Sequence, residues 1–167
     1  MESKAQARGR FRELRRKSQG PDRAAPARVL IGAPEIADAK VISSFQSYGD
    51  EPDTFALHEA LKEQGKTIYL PRLNPDKTLT WLEDGQVVTA AKLKTIDVII
   101  VPALAIDSRG VRLGQGGGSF DRALIDLSGW KVALIDHVCF TDEELPEEIH
   151  DVRMDAVATE RELKRFS

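Results

Sequence analysis

The 167-residue sequence has a single cysteine, Cys139, so no disulfide can form within the chain. A reducing cytoplasm is the simplest setting for such a protein. Cys139, beside Phe140, reads as a small buried hydrophobe. No apolar run approaches the roughly 18–20 residues needed to cross a bilayer. The basic N-terminus lacks the apolar stretch of a signal peptide, so neither a membrane span nor a secretory leader is expected. Aromatic residues are few and do not interleave with the basic ones, which disfavours a nucleic-acid surface. His58, His137 and His150 form no metal-binding spacing with Cys139. Neither GxxxxGK[ST] nor a GxGxxG followed by an acidic residue about 20 positions on is present. There is no Ser/His/Asp order, no internal repeat and no low-complexity segment.

What is present is an ordinary globular balance of 41% hydrophobic and 31% charged residues, which favours one folded domain spanning residues 1–167. The net charge of −3 is unevenly spread: residues 1–28 hold nine Lys/Arg against three Asp/Glu, and the remainder is acidic. A basic arm on an acidic body suggests an anionic ligand, unless the arm is only a solvated helix face.

Residues 3–17 read as a helix capped by Ser3, with Phe11 and Leu14 on one face and Gly9 as a weak point. Gly20-Pro21-Asp22 ends it. A weaker helix over 22–31 is interrupted by Pro26. Strands are expected at Lys40–Phe45, at Thr67–Leu70 (stopped by Pro71), at Thr78–Leu82 and at Gln86–Thr89. The last two flank Asp84-Gly85, a hairpin turn signal. Further strands are expected at Ile96–Val101, Lys131–Ile135 and, as the last one, Ala156–Thr159. Helices are expected at Asp53–Gln64, ended by Gly65, and at Ser119–Leu127. This alternation predicts a three-layer α/β fold, a mainly parallel, Rossmann-like sheet flanked by helices. Ligands in such folds sit at the carboxyl ends of the strands.

The most informative stretch runs from Asp97 to Leu124, DVIIVPALAIDSRGVRLGQGGGSFDRAL. A buried strand leads to a loop with Gly114, Gly116, Gly117 and Gly118, and a helix follows. Glycines let the backbone approach a ligand, and successive N–H groups with a helix N-terminus attract an anion. Arg112 and Arg122 flank the loop as candidate phosphate clamps, and Asp121 is a candidate ligand for a hard cation. The same pattern is compatible with a flexible glycine-rich turn.

VPALAID, GVRLGQGGG and SFDR together resemble the signature of the 5-formyltetrahydrofolate cyclo-ligase family. Lys4 and Arg8 are similar to the Lys-x-x-x-Arg that opens that family. Glu51-Pro52-Asp53-Thr54 is similar to its Glu-x-Asp-Thr, and Tyr69-Leu70-Pro71-Arg72 to its strand ending in Leu-Pro. His150, Asp151 and Asp155 resemble its closing His-Asp-x-x-x-Asp. The resemblance implies an ATP- and magnesium-dependent ligase that converts 5-formyltetrahydrofolate to 5,10-methenyltetrahydrofolate, with ADP and phosphate released. It implies ATP binding by Lys4, Ala5, Gln6, Ala7 and Arg8 and by Arg112, Leu113, Gly114, Gln115, Gly116, Gly117, Gly118, Ser119 and Phe120. It implies folate binding by Gln46, Glu51 and the loop from Gln115 to Ser119, catalytic roles for Arg112 and Arg122, and magnesium on Asp121 and Asp151. From the residues alone, Glu51 also fits a helix-start carboxylate, Asp151 a loop cap, and Lys4 and Arg8 a solvated basic face.

The chain departs from the family pattern at Ser119, where an aromatic is usual. The segment between Asp84-Gly85 and Ile96 is short and lacks a Glu-Pro pair, and residues 18–38 are compact. These departures leave a second reading open: a catalytically weakened nucleotide- or folate-binding protein of the same fold. No membrane or nucleic-acid partner is expected, and a cytoplasmic monomer is.

Overall fold

Strand β5 (Val98–Pro102) shows why the fold has three layers. Its side chains alternate across the sheet. Val98 and Ile100 enter one apolar cluster, Ile99 and Val101 another, and none of the four is more than 1% exposed. A strand that is apolar on both faces needs a helical layer on each. The computed structural model, which describes residues 1–167, supplies both layers. Helices α2 (Ala25–Ile31), α3 (Pro34–Asp38) and α4 (Phe55–Glu63) cover one face through Ala27, Leu30, Ile36, Leu57 and Leu61. Helices α1 (Lys4–Lys17) and α6 (Ser119–Asp126) cover the other through Ala7, Phe11 and Leu124.

The parallel core of the sheet contains β1 (Val41–Ser43), β2 (Thr67–Leu73), β5, β8 (Trp130–Leu134) and β10 (Ala156–Ala158), in the order β10-β8-β5-β1-β2. Antiparallel strands close both edges. β3 (Leu79–Glu83) and β4 (Gln86–Val87) follow β2, and β11 (Leu163–Arg165) borders β10. The sheet is therefore mainly parallel, as the sequence predicts. The hairpin turn also forms as expected: Asp84 and Gly85 have φ of 47° and 83°, the paired left-handed conformation of a type I′ turn. Ser3 caps α1 in a reciprocal capping box with Gln6.

Several expectations need correction. Pro26 does not interrupt α2 but lies in its first turn, where a missing N–H costs nothing. Pro71 does not stop β2. Tyr69 O accepts from Ser44 N, so the alternation of the strand points Pro71 N toward the same side, beyond the last β1–β2 pair, Ser43↔Tyr69. No ladder bond is lost there, and β2 runs on against β3. Ala156–Ala158 is not the last strand, because β11 turns back on it. The short segment after the hairpin holds helix α5 (Ala90–Leu93), capped by Thr89.

A second, three-stranded sheet is formed by β6 (Ala105–Asp107) and β7 (Arg112–Leu113), which fall between β5 and the glycine loop in the chain, and by β9 (Phe140–Thr141). Strand β7, rather than β5, leads into the loop. Asp107 is fully buried at the centre of this sheet. Its carboxylate accepts from the amides of Arg109, Val111 and Leu145 and from the Arg109 guanidinium, at 2.7–3.0 Å.

Replacing Asp107 by alanine leaves the buried amides of Val111 and Leu145 without partners, each costing about 1–3 kcal/mol. Urea unfolding of Asp107→Ala is expected to show a loss of roughly 2–5 kcal/mol. A loss below about 1 kcal/mol would mean that water reaches these amides.

Candidate functional site

The strands β1, β2 and β5 end around one cavity of about 350 Å³. Phe45 and Gln46 follow β1, Pro71 and Leu73 belong to β2, and Pro102 ends β5. The opposite wall is the glycine loop and the first turn of α6, where Ser119, Phe120 and Asp121 line the space. Tyr48 and Glu51 close a third side. The mouth of the parallel sheet is where the alternation of strands and helices places a ligand site.

The loop's amides are its main chemical resource. The N–H groups of Gln115, Gly116 and Gly117 donate to no protein acceptor. Gly118 stands at the N-cap of α6 with φ +72°, a left-handed conformation that costs other residues energy. The helix then begins with unpaired amides and the positive end of its dipole. Helix α1 holds the loop's carbonyls from the other side. Arg8 Nε donates to Gly114 O at 3.0 Å, and Arg12 Nη2 donates to Gln115 O at 2.9 Å. The carbonyls are occupied and the amides are free, which suits an anion.

The structure does not join Arg112 and Arg122 as a pair of clamps. Arg112 is buried, donates to Pro102 O at 2.7 Å, and holds Asp121 Oδ1 at 3.0 Å, while its Nε has no partner. It lines the cavity and supports the loop and the helix start. Arg122 is exposed and outside the cavity, resting on Gly117 O at 3.3 Å and Asp76 O at 3.5 Å.

Several expected nucleotide contacts do fall outside the cavity wall, Lys4 and Arg8 among them. Ala7 and Leu113 are core residues, 0% and 1% exposed, so their side chains face no ligand. Ala5 is exposed on α1, and the Gln6 side chain is engaged in the capping box. Gly116 lies outside the cavity wall and against the Arg8 guanidinium.

Glu51 is only 9% exposed. Burial raises its pKa, although the Tyr48 N–H bonded to Oε1 at 3.0 Å and the Arg15 charge pull it back. Asp121 lines the cavity. Asp151 does not: its Oδ2 is held by Lys4 Nζ at 2.7 Å and by Glu148 N at 2.9 Å. No group of three or more His, Cys, Asp or Glu converges. Each of the two aspartates still keeps one carboxylate oxygen outside its ion pair. Magnesium is usually held by one or two carboxylates plus phosphate oxygens and water, and the free oxygen of Asp121 at the cavity wall fits that chemistry.

Reasoning from the sequence missed Arg12, Tyr48 and two ion pairs behind the Glu51 loop, Arg15–Asp50 at 2.8 Å and Arg23–Asp136 at 3.0 Å. Only the arginine-rich composition of residues 8–23 hinted at them. Cys139 is buried, with its thiol pushed up to about 12, and is chemically idle.

A family model described as the 5-formyltetrahydrofolate cyclo-ligase family matches residues 1–160. The 5-formyltetrahydrofolate cyclo-ligase of Escherichia coli is 31% identical over 151 residues, covering 78% of this chain and 83% of that protein. The protein of the same name from Mycolicibacterium smegmatis is 34% identical over 144 residues, covering 72% and 73%. Among solved structures, 5,10-methenyltetrahydrofolate synthetase from Aquifex aeolicus superposes with a TM-score of 0.82 at 23% identity, covering 97% of this chain and 92% of that one. Its counterpart from Mycoplasma pneumoniae gives 0.80 at 17% identity, covering 95% and 99%. At those identities the superpositions speak for the fold.

His58 of α4 is buried against Ser44 Oγ at 2.7 Å, just before the cavity wall at Phe45. Burial, aided by the Lys62 charge, lowers its pKa from 6.5 to about 4. The unfolded chain therefore binds a proton that the folded chain refuses, and stability falls as pH drops from about 6.5 to about 4. Urea unfolding is expected to show a loss of about 2–3 kcal/mol from this group between pH 7 and pH 4.5. His58→Gln should have a correspondingly flatter pH profile, and an equal slope in both proteins would exclude His58 as the cause.

Proposed function

The chain belongs to the 5-formyltetrahydrofolate cyclo-ligase family, and from that premise we propose that it closes 5-formyltetrahydrofolate to 5,10-methenyltetrahydrofolate with ATP. The observation that carries this reading is the polarity of the cavity. Free amides of Gln115 and Gly117 line one end, with Arg8 and Arg12 of α1 behind them on the loop carbonyls, while the buried carboxyl of Glu51 and apolar walls occupy the other. A triphosphate suits the first end and a pterin the second.

In this reading the loop amides and the N-terminus of α6 bind the phosphates, with Lys4 and Arg8 adding charge. Glu51 accepts hydrogen bonds from the donor edge of the pterin, beside Gln46. The formyl oxygen attacks the γ-phosphorus, ADP departs, and an imidate phosphate forms on the folate. N10 then closes onto the activated carbon, losing its proton, and phosphate leaves with the former formyl oxygen. Phosphoryl transfer of this kind needs positioning and charge neutralisation more than a protein nucleophile. Magnesium, when bound, would neutralise phosphate charge, with Asp121 and Asp151 as its protein ligands. Arg112 keeps Asp121 in place, and Arg122 steadies the outside of the loop. A single domain acting as a monomer in the cytoplasm is part of the same reading, in keeping with a lone buried thiol.

The conjugated methenyl product absorbs in the near ultraviolet and the formyl substrate does not. Purified protein with 5-formyltetrahydrofolate, ATP and magnesium is expected to show a rise that requires ATP. Asp121→Ala should reduce the rate by roughly 10²-fold or more, the usual cost of losing one group that steadies transition-state charge. No rise, with ATP binding retained, would replace the enzyme by a non-catalytic binding protein of the same fold.

A further inference from the structure

The loop from Gln46 to Asp53 joins β1 to α4 and is held at many points. Arg15 pairs with the Asp50 side chain at 2.8 Å, and Arg23 donates to Asp50 O. Asp53 N donates to Arg23 O at 2.8 Å, and Arg23 is itself fixed by a two-pronged bond to Asp136 at 3.0 Å. Ser47 and Thr54 exchange backbone-to-hydroxyl bonds at 3.0–3.1 Å, and Tyr48 N is bound to Glu51. The backbone beneath Tyr48 is thus tied down, yet its side chain is 76% exposed and its hydroxyl bonds nothing. A rigid loop is displaying an unpartnered aromatic ring.

That ring stands at the cavity mouth. Tyr48 borders this cavity and the two other depressions beside it, and no other residue except Glu51 borders all three. Across the cavity lie Leu73, Leu79 and Phe120, and Phe120 is braced edge-on by Trp81 with ring centres 6.1 Å apart. Trp81 stiffens that apolar wall at Phe120, and among the lining residues Phe45, Gln46, Tyr48 and Glu51 only Tyr48 presents a largely exposed ring.

We propose that Tyr48 covers the bound substrate, its ring stacking on a flat conjugated portion of the ligand while Leu73, Leu79 and Phe120 back the other side. Stacking of an aromatic side chain on a heterocycle is insensitive to the polar decoration of that ring, so Tyr48 selects for flatness and Glu51 for the donor edge. The tied loop keeps the cost of ordering it on binding low. The identity of the ligand rests on the cyclo-ligase reading, and the cover itself on the geometry.

The test is calorimetric titration of the full chain with 5-formyltetrahydrofolate and, separately, with ATP and magnesium. Tyr48→Ala is expected to weaken folate binding about 5- to 100-fold, the range for losing one stacked ring. Tyr48→Phe and Tyr48→Trp should stay within about threefold of the parent, and ATP affinity and the thermal midpoint should not change in any of the three. Folate binding by Tyr48→Ala within twofold of the parent would overturn the proposal, as would failure of phenylalanine and tryptophan to restore it. An equal loss of ATP affinity would also overturn it, by showing general damage to the site. If the parent protein binds ATP but no folate, the cyclo-ligase reading falls and this assignment with it. Folate binding that is indifferent to position 48 removes the Tyr48 assignment alone.

Discussion

The site depends on where helix α1 lies. Lys4, Arg8, Arg12 and Arg15 recur at spacings of four, four and three, so they share one face. Each reaches a different piece of chain: Asp151, Gly114, Gln115 and Asp50. Two of these contacts are ion pairs with largely buried partners, whose attraction is offset by the cost of taking the charges out of water. Phe11 and Ala7 are fully buried on the same helix, and burying a phenylalanine alone is worth about 1.5–3 kcal/mol. The apolar residues hold the helix down, and the cations decide what it touches. That division accounts for the uneven charge, since a basic arm on an acidic body finds its partners inside its own fold.

The sheet decides where the cavity lies. Five parallel strands buried on both faces leave only their ends for chemistry, and β1, β2 and β5 end side by side. Tyr69 O and Ser44 N close the ladder between β1 and β2 just before the chain departs toward Gln46. Beyond that point β1 swings into the Glu51 loop, while β2 continues past Pro71 to pair with β3. The two strands separate, and the space between them is the cavity. Pro71 belongs to this event, because it offers no N–H on the side that β1 has left.

Much of this was legible in the sequence where the signal was local. The apolar run at 98–101, the Asp84-Gly85 turn and the Ser3 cap each specify their structure within a few residues. The second sheet was not legible, since β7 and β9 are two residues long and carry no periodicity, and they form because Asp107 draws in Leu145 from 38 positions away. The closing strand β11 was missed for the same reason: it is three residues long and takes its register from β10. In the site, motif order pointed to the glycine loop, Glu51, Asp121 and the basic N-terminus. It did not reveal that Ala7 and Leu113 face the core, because a motif carries residue types and not directions. Nor did it reveal Arg15 and Arg23, whose partners Asp50 and Asp136 lie 35 and 113 residues on.

The glycine loop shows how far residue types alone can be read. A string of glycines suggests a single purpose, yet neighbouring positions differ. A side chain on Gly114 would bring its Cβ within 3.0 Å of the buried Arg112 guanidinium, which is fixed by Pro102 and Asp121 and has nowhere to move. Gly114 is therefore glycine for the protein's own sake, to admit the arginine that supports the helix start. Gly117 is the contrary case. Its φ is not left-handed, and a Cβ there would meet only the Ser119 hydroxyl at an ordinary 3.7 Å. The fold places no demand for glycine at 117, although the residue lines the cavity and its amide is free. A glycine that packing does not require, with an unused donor in a cavity wall, is accounted for by close approach of a ligand to the backbone. The phosphate reading of this loop therefore rests more on Gly117 than on the number of glycines.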